Sequence, residues 1–96
     1  MASKPNHKQI LVRWGDAYID TGDFDVKSAK KSQPCWRYTA GFFIAQNQYG
    51  LVLSTDCYEK KSEGVAAKMF IPWGMVDKWW EVTNYREQSV EASLDT

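Results

Sequence analysis

Histidine and cysteine are scarce in this chain, which has one histidine, His7, and two cysteines, Cys35 and Cys57, among 96 residues. One histidine and two distant cysteines cannot complete a tetrahedral zinc site. His7 lies in a polar N-terminal segment, and the central part of the chain offers no histidine to activate either thiol. The sequence therefore predicts a protein that is not an enzyme and that holds no cofactor or metal.

Net charge and long apolar runs are also lacking. Twelve basic residues balance twelve acidic ones, so no global field attracts nucleic acid, and little repulsion keeps copies of the chain apart. No apolar run approaches the roughly 20 residues of a membrane span, which predicts no membrane contact. The first residues lack the apolar segment of a secretion signal, and two cysteines without a paired motif suit a reducing compartment. We therefore expect a cytoplasmic protein.

Alternation of apolar and polar residues is what the chain does have. A period of two is typical of a strand with one buried face. It is strongest over residues 36–44, and it recurs in two later segments and around residues 10–14, where Ile10, Val12 and Trp14 share a face. The other residues expected to point inward are Trp36, Tyr38, Ala40, Phe42 and Ile44, then Leu51 and Leu53, then Val65, Ala67, Met69 and Ile71.

The order of these segments predicts an all-β fold. The segments follow the order of a five-stranded antiparallel SH3-like or Sm-like barrel. That order is strand, long surface loop (20–33 here), bent strand, hairpin, strand, hairpin, strand, tight corner and strand. Pro72 and Gly74 predict a tight corner of the length of one 3₁₀ turn. We expect one domain over 10–82 with flexible tails at 1–9 and 83–96. An OB barrel, a plain antiparallel sheet and a short helix within the loop stay open.

Three short motifs resemble those of a group of small uncharacterised phage and prophage proteins. That group has a V-x-W-x-D-A opening, a strand led by a cysteine, and a closing I-P-x-G-[MC]-[IV] corner; Cys35 occupies the cysteine's place. The resemblance covers about residues 10 to 82 and implies a viral origin and action in the cytoplasm of a bacterial host, without an activity. The matching segments are Val12-Arg13-Trp14-Gly15-Asp16-Ala17, Thr39-Ala40-Gly41-Phe42-Phe43 and Phe70-Ile71-Pro72-Trp73-Gly74-Met75-Val76.

Aromatic residues, five of them tryptophans, are the best lead to a binding surface. Trp79 and Trp80 are adjacent on a strand, so they point to opposite faces. Trp73 lies in the corner, where full burial is difficult, while Phe43 and Phe70 lie off the apolar faces of their strands. These rings either complete a small core from both sides or form an exposed patch that binds a partner. The predicted patch consists of Trp73, Trp79, Phe43 and Phe70.

Three function classes remain, and the first is the one we expect. It is a non-catalytic binding protein that engages a host protein, in host takeover or anti-defence, and that self-associates. The second is a single-stranded nucleic-acid binder of Sm or OB type, and the third is a protein that sequesters a nucleotide signal of a host defence system. The candidate phosphate contacts for both alternatives are Arg37, Lys68, Lys60 and Lys61.

Overall fold

The computed structural model describes residues 4–83, and these form the predicted all-β fold. A four-residue helix interrupts the long loop, and two 3₁₀ turns lie between strands. The elements are β1 (Gln9–Asp16), α1 (Val26–Ala29), β2 (Cys35–Gln46), β3 (Gly50–Cys57), a 3₁₀ turn (Lys61–Glu63), β4 (Val65–Pro72), a second 3₁₀ turn (Trp73–Met75) and β5 (Val76–Val82).

All five strands belong to one antiparallel sheet in the order β4-β3-β2-β1-β5. Successive strands from β1 to β4 are neighbours, and the chain then turns through the predicted corner so that β5 pairs with β1. Strands β4 and β5 are therefore the two edges, and the pairings within residues 4–83 do not join them to each other. Among the described residues, no helix has the length and apolar content needed to cross a bilayer.

The core lies on one side of this sheet, which we call the inner face. Strand β1 alternates between buried and half-buried residues, and its buried residues are those expected to share a face. Met69 and Phe43 pack against the same cluster. The assignments for β1, β3 and the end of β4 are thereby confirmed. Within the described residues the buried apolar side chains are Ile10, Val12, Trp14, Leu51, Leu53 and Ile71.

The apolar alternation of β2 faces the opposite way from the prediction. Ile10 pairs with Gly41, and Val12 pairs with Thr39. Directly paired residues of antiparallel strands project from the same face, so Gly41 and Thr39 lie on the inner face. The residues that the sequence wrongly assigns to the core, and that the register places on the outer face, are Trp36, Tyr38, Ala40 and Phe42.

Small and polar residues occupy the inner face of β2 because neighbouring side chains already fill the space. A Cβ atom on Gly41 would lie 2.8 Å from Cδ1 of Leu53 and 2.9 Å from the backbone oxygen of Ser54. The hydroxyl of Thr39 accepts a hydrogen bond of 2.9 Å from the indole Nε1 of Trp14. A larger apolar residue in place of Thr39 would leave that donor without this partner.

A bulge explains why Ile44 also departs from the predicted alternation. Phe43 pairs with Leu53, but the register to β3 then shifts, and Ala45 pairs with Val52. A bulge of this kind adds a residue to one strand and increases its bend and twist. Phe43 is thereby an inner-face residue, while Ile44 falls outside the regular alternation.

A second irregularity lies in β4, where the predicted alternation fails at Ala67. This residue is exposed and has a φ of 55°, in the left-handed region. On the neighbouring strand β3, the buried hydroxyl of Ser54 lies 2.7 Å from the carbonyl oxygen of Asp56, accepts from the Asp56 N–H at 3.2 Å, and also contacts the carbonyl of Ala66. These bonds hold β3 and β4 in a shared bend.

The two predicted tails fall mostly at or beyond the limits of the described residues. Positions 84–96 of the predicted tail 83–96 lie outside them, and so do positions 1–3 of the tail 1–9. Strand β1 begins at Gln9, and the Asn6 side chain donates a hydrogen bond of 3.1 Å to the carbonyl oxygen of Glu59. The flexibility of both tails stays a prediction.

Candidate functional site

An apolar surface covers the outer face of the sheet. The register places side chains from β2, β1 and β5 side by side there: Leu11 pairs with Ala40 and with Trp80, and Arg13 pairs with Tyr38 and with Lys78. Trp36, Tyr38, Trp80 and Val82 are exposed, and Leu11 and Phe42 are half-buried. We define the outer-face patch as Leu11, Trp36, Tyr38, Phe42, Trp80 and Val82.

The patch is arranged in rows that run across the strands. The middle row contains Leu11, Ala40 and Trp80, and carries no charge. On one side of it lies the basic row, Tyr38, Arg13 and Lys78. On the other side lies the neutral row, Phe42, Gln9 and Val82. Within β2, β1 and β5, charge on this face is therefore confined to one end; Lys68 lies two strands beyond Phe42, on the edge strand β4.

One cation of the basic row is held in place by two neighbours. The guanidinium carbon of Arg13 lies 3.9 Å from the centroid of the Trp36 ring, and Nη1 donates a hydrogen bond of 2.7 Å to Oδ2 of Asp77. The hydrogen bond to this carboxylate raises the pKa of Arg13 above its usual value. The contact with Arg13 holds the Trp36 ring in a fixed orientation. Because the guanidinium is paired with the Asp77 carboxylate, Arg13 offers little free charge to an anionic ligand.

A second apolar surface lies on the long loop, residues 17–34, which we call the arm. Its apolar side chains project from the body of the protein instead of packing into the core: Tyr18, Ile19, Phe24 and Val26 are all exposed. The arm nevertheless has local order, because the Asp25 carboxylate caps α1 by accepting hydrogen bonds from the Ser28 backbone N–H at 2.8 Å and from its hydroxyl at 3.1 Å. These bonds lower the pKa of Asp25.

The arm folds around a cleft of about 470 Å³. Aromatic rings from its first half face small polar residues from its second half across this cleft. The lining residues are Tyr18, Asp20, Phe24, Ser28, Ala29 and Ser32. A cleft of this size, open to solvent and bordered by exposed rings, suits an inserted side chain of a protein partner.

Three members of the aromatic patch predicted from sequence lie together, next to the core. The rings of Phe43 and Trp79 are stacked with centroids 5.8 Å apart, and Trp73 packs on the same cluster. The Trp73 indole donates a hydrogen bond of 2.7 Å to the carbonyl oxygen of Asn47. Of the two readings left open by the sequence, this packing favours core completion for Phe43 and Trp73. Trp79 is 36% exposed and contacts the core only through its stack with Phe43.

The fourth member lies elsewhere. Phe70 pairs with Val52 while Met69 pairs with Leu53, so Phe70 projects from the outer face, where it is exposed. It is thus separated by the sheet from the stacked pair. Binding by the predicted four-residue patch stays a prediction, and the structure does not bring its members onto one surface.

The candidate phosphate contacts are dispersed in the same way. Arg37 pairs with Trp14 on the inner face, where its Nη1 lies 3.1 Å from Oδ2 of Asp16. Lys68 pairs with Ser54 at the edge strand β4, on the outer face. Lys60 and Lys61 lie in the loop between β3 and β4. These four residues therefore do not form a continuous basic track.

The sequence contained a signal for the outer-face patch, although the apolar period of β2 indicated the opposite face as the buried one. Gly41 and Thr39 in the middle of a strand mark the face that must approach other atoms closely. The signal for the arm is different: four large apolar residues stand in a segment without any strand or helix period. Such residues cannot share a strand's buried face, which marks the segment as a candidate contact surface.

Residues 4–83 contain no group of three or more potential metal ligands. Cys35 is exposed, Cys57 is half-buried, and both are free thiols. The features that distinguish the described part of the chain are thus two apolar surfaces, one on the sheet and one on the arm. No protein-family model, no curated protein and no solved structure matches this chain.

Proposed function

We propose that this chain is a non-catalytic, phage-encoded binding protein that self-associates and engages a protein of its bacterial host in the cytoplasm. The resemblance of its motifs to small phage proteins supports the origin. The exposure of apolar side chains on a locally ordered arm supports the mode of action. We assign contact with the host protein to the arm and self-association to the sheet.

The observation that carries this proposal is the exposure of Ile19, whose side chain is 90% accessible to solvent. Large apolar side chains that stay in water lose the stabilisation of about 1.5–3 kcal/mol that burial would give each of them. Tyr18 and Phe24, which precede and follow Ile19 in the sequence, are also exposed. A protein partner that covers these side chains would recover that stabilisation.

Charge on the arm favours a protein partner over a nucleic acid. The arm has three lysines, Lys27, Lys30 and Lys31, and three aspartates, Asp20, Asp23 and Asp25. A surface with balanced charge does not gain the release of counterions that dominates binding to a phosphate backbone. Balanced charge around exposed aromatic and aliphatic side chains is instead typical of a protein interface with a polar rim.

The test is affinity capture from bacterial host lysate with matched variants. Ile19→Ser combined with Phe24→Ser removes two apolar contacts of the arm, and Tyr49→Ser removes an exposed ring from the turn between β2 and β3. We expect a host protein that co-purifies with the native chain and the Tyr49 variant, forms a complex with them when purified, and is lost with the arm variant. Equal recovery by all three proteins, or recovery of nucleic acid alone, would contradict the proposal.

A further inference from the structure

We propose that a second copy of this chain covers the outer-face patch, in a symmetric dimer whose two-fold axis lies between the two sheets and runs across the strands. This inference rests on the self-association in the proposed function and adds its surface and its geometry. It does not involve the arm. Loss of the dimer and loss of the host target are therefore separate outcomes.

The first support is the small size of the core. Six buried apolar side chains stabilise the described residues from the inner face, and a single core in a chain this short supplies only about 3–5 kcal/mol. The two cysteines form no disulfide that could add to this. A second copy on the outer face would give the sheet a buried layer on both sides, as in proteins built from two packed sheets.

The second support is the area that the patch offers. The rings of Trp36, Tyr38 and Trp80 are 42%, 65% and 43% exposed. At roughly 200 Å² for each aromatic side chain, these three alone would bury about 300 Å² on each copy. Leu11, Phe42 and the aliphatic stems of the basic row extend the contact toward the roughly 600–800 Å² per partner of a small stable interface.

The distribution of charge selects the direction of the axis. A two-fold axis along the strands would place the basic row, with Lys78 and the Arg13–Asp77 pair, against the same row of the second copy. An axis across the strands, above Leu11 and Ala40, places the basic row against the partner's neutral row. Like charges in contact oppose association, so the second arrangement is favoured and brings the two Ala40 residues close together.

The sheet edges are less suited to association than this face. Strand β5 carries Asp77, Lys78 and Glu81, and its pairing with β1 contains a register shift. Strand β4 contains Ala67 with its left-handed backbone and ends at Pro72. Charges, bulges and proline are the devices by which edge strands avoid pairing with other chains.

The experiment compares two tyrosines of nearly equal exposure, Tyr38 at 65% and Tyr49 at 68%. Tyr38→Glu places a carboxylate beside Arg13, which the folded monomer tolerates, but buries it against the neutral row of a dimer. Sedimentation equilibrium of the full chain should show a dimer, with a dissociation constant raised at least about tenfold by Tyr38→Glu and unchanged by Tyr49→Glu. A monomer at every concentration, or equal effects of the two variants, would overturn the proposal.

Cross-linking tests the axis. In a Cys35→Ser background, Ala40→Cys should be linked into a covalent dimer by a short bis-maleimide, whereas Thr55→Cys, an exposed residue of β3, should not. Linking of both variants alike, or of neither, would overturn the axis across the strands. If Tyr38→Glu separates the dimer yet still captures the host protein, both proposals stand; a dimer that captures nothing contradicts the proposed function alone.

Discussion

The rings of Phe43 and Trp79 lie stacked, with centroids 5.8 Å apart and planes 6° from parallel. Phe43 belongs to β2 and Trp79 to β5, which are separated in the sheet by β1. The stack therefore crosses β1 on the inner face, where Val12 of β1 pairs with Trp79. It fixes the direction of the next residue, Trp80, which must project from the outer face.

Replacement of these two neighbouring tryptophans should separate stability from association. Trp79→Ala removes a ring that is 36% exposed and stacks on Phe43 at the inner face, so we expect the free energy of unfolding to fall by about 2 kcal/mol. Trp80→Ala, measured at concentrations where the protein is monomeric, should lower it by less than about 1 kcal/mol. Urea denaturation followed by circular dichroism gives both values, and a larger loss for Trp80→Ala would contradict the assignment of faces.

Gly41 should not tolerate a side chain. Its Cβ would meet Leu53 Cδ1 at 2.8 Å and the backbone oxygen of Ser54 at 2.9 Å, and the second of these atoms cannot move without displacing β3. Gly41→Ala should therefore lower the melting temperature, with a loss of about 1–3 kcal/mol in the free energy of unfolding. Gly74→Ala is the control, since no atom lies within 4 Å of its added Cβ. Equal melting temperatures for the two variants would show that β2 lies farther from β3 than described.

Ala67 offers the opposite test, a substitution that stabilises. Its φ of 55° costs a residue with a Cβ about 1–2 kcal/mol, and glycine adopts this conformation without that cost. Glycine also has more freedom to lose on folding, which offsets part of the gain. Ala67→Gly should raise the free energy of unfolding by up to about 1 kcal/mol in thermal denaturation. Ala66→Gly, one residue earlier, should lower the free energy of unfolding. Stabilisation by both variants would show that the left-handed backbone does not lie at Ala67.

The cap of α1 should depend on pH. Hydrogen bonds from Ser28 lower the pKa of Asp25 in the folded arm. The cap's contribution is thus fully present above the ordinary pKa of an aspartate and is lost as the pH falls through the lowered value. Amide chemical shifts of residues 26–29 should move toward unfolded values across that acidic range. Asp25→Asn, which caps without titrating, should hold those shifts constant. An identical pH response in both proteins would show that the Asp25 carboxylate is not its cause.

Local pattern was sufficient to predict which elements form. The corner at Pro72 and Gly74 and the last strand follow from backbone chemistry alone, and β5 begins and ends at the expected residues. The face of β1 was also predictable, because Ile10, Val12 and Trp14 all lie on the inner side. In each of these cases the information lies within a few consecutive residues.

The apolar period of β2 by itself does not show which of its faces points inward. A period of two shows that the faces differ, but the burial of one face depends on the neighbouring strands. The indole of Trp14 requires an acceptor, which Thr39 supplies, and Leu53 leaves no space above Gly41. The binding surface predicted from sequence differs for the same reason: when β2 is inverted, Trp36 and Tyr38 become surface residues, while Phe43 packs against the core.

The most direct test of the two-faced sheet and its self-association is fluorine NMR of the chain labelled with 5-fluorotryptophan, recorded over a dilution series. Each of the five tryptophans gives one signal, assigned with single Trp→Phe variants. We expect the Trp36 and Trp80 signals to shift with protein concentration, while those of Trp14, Trp73 and Trp79 stay constant. Signals of Trp79 and Trp73 that move while those of Trp36 and Trp80 stay fixed, or five signals that do not respond at all, would contradict it.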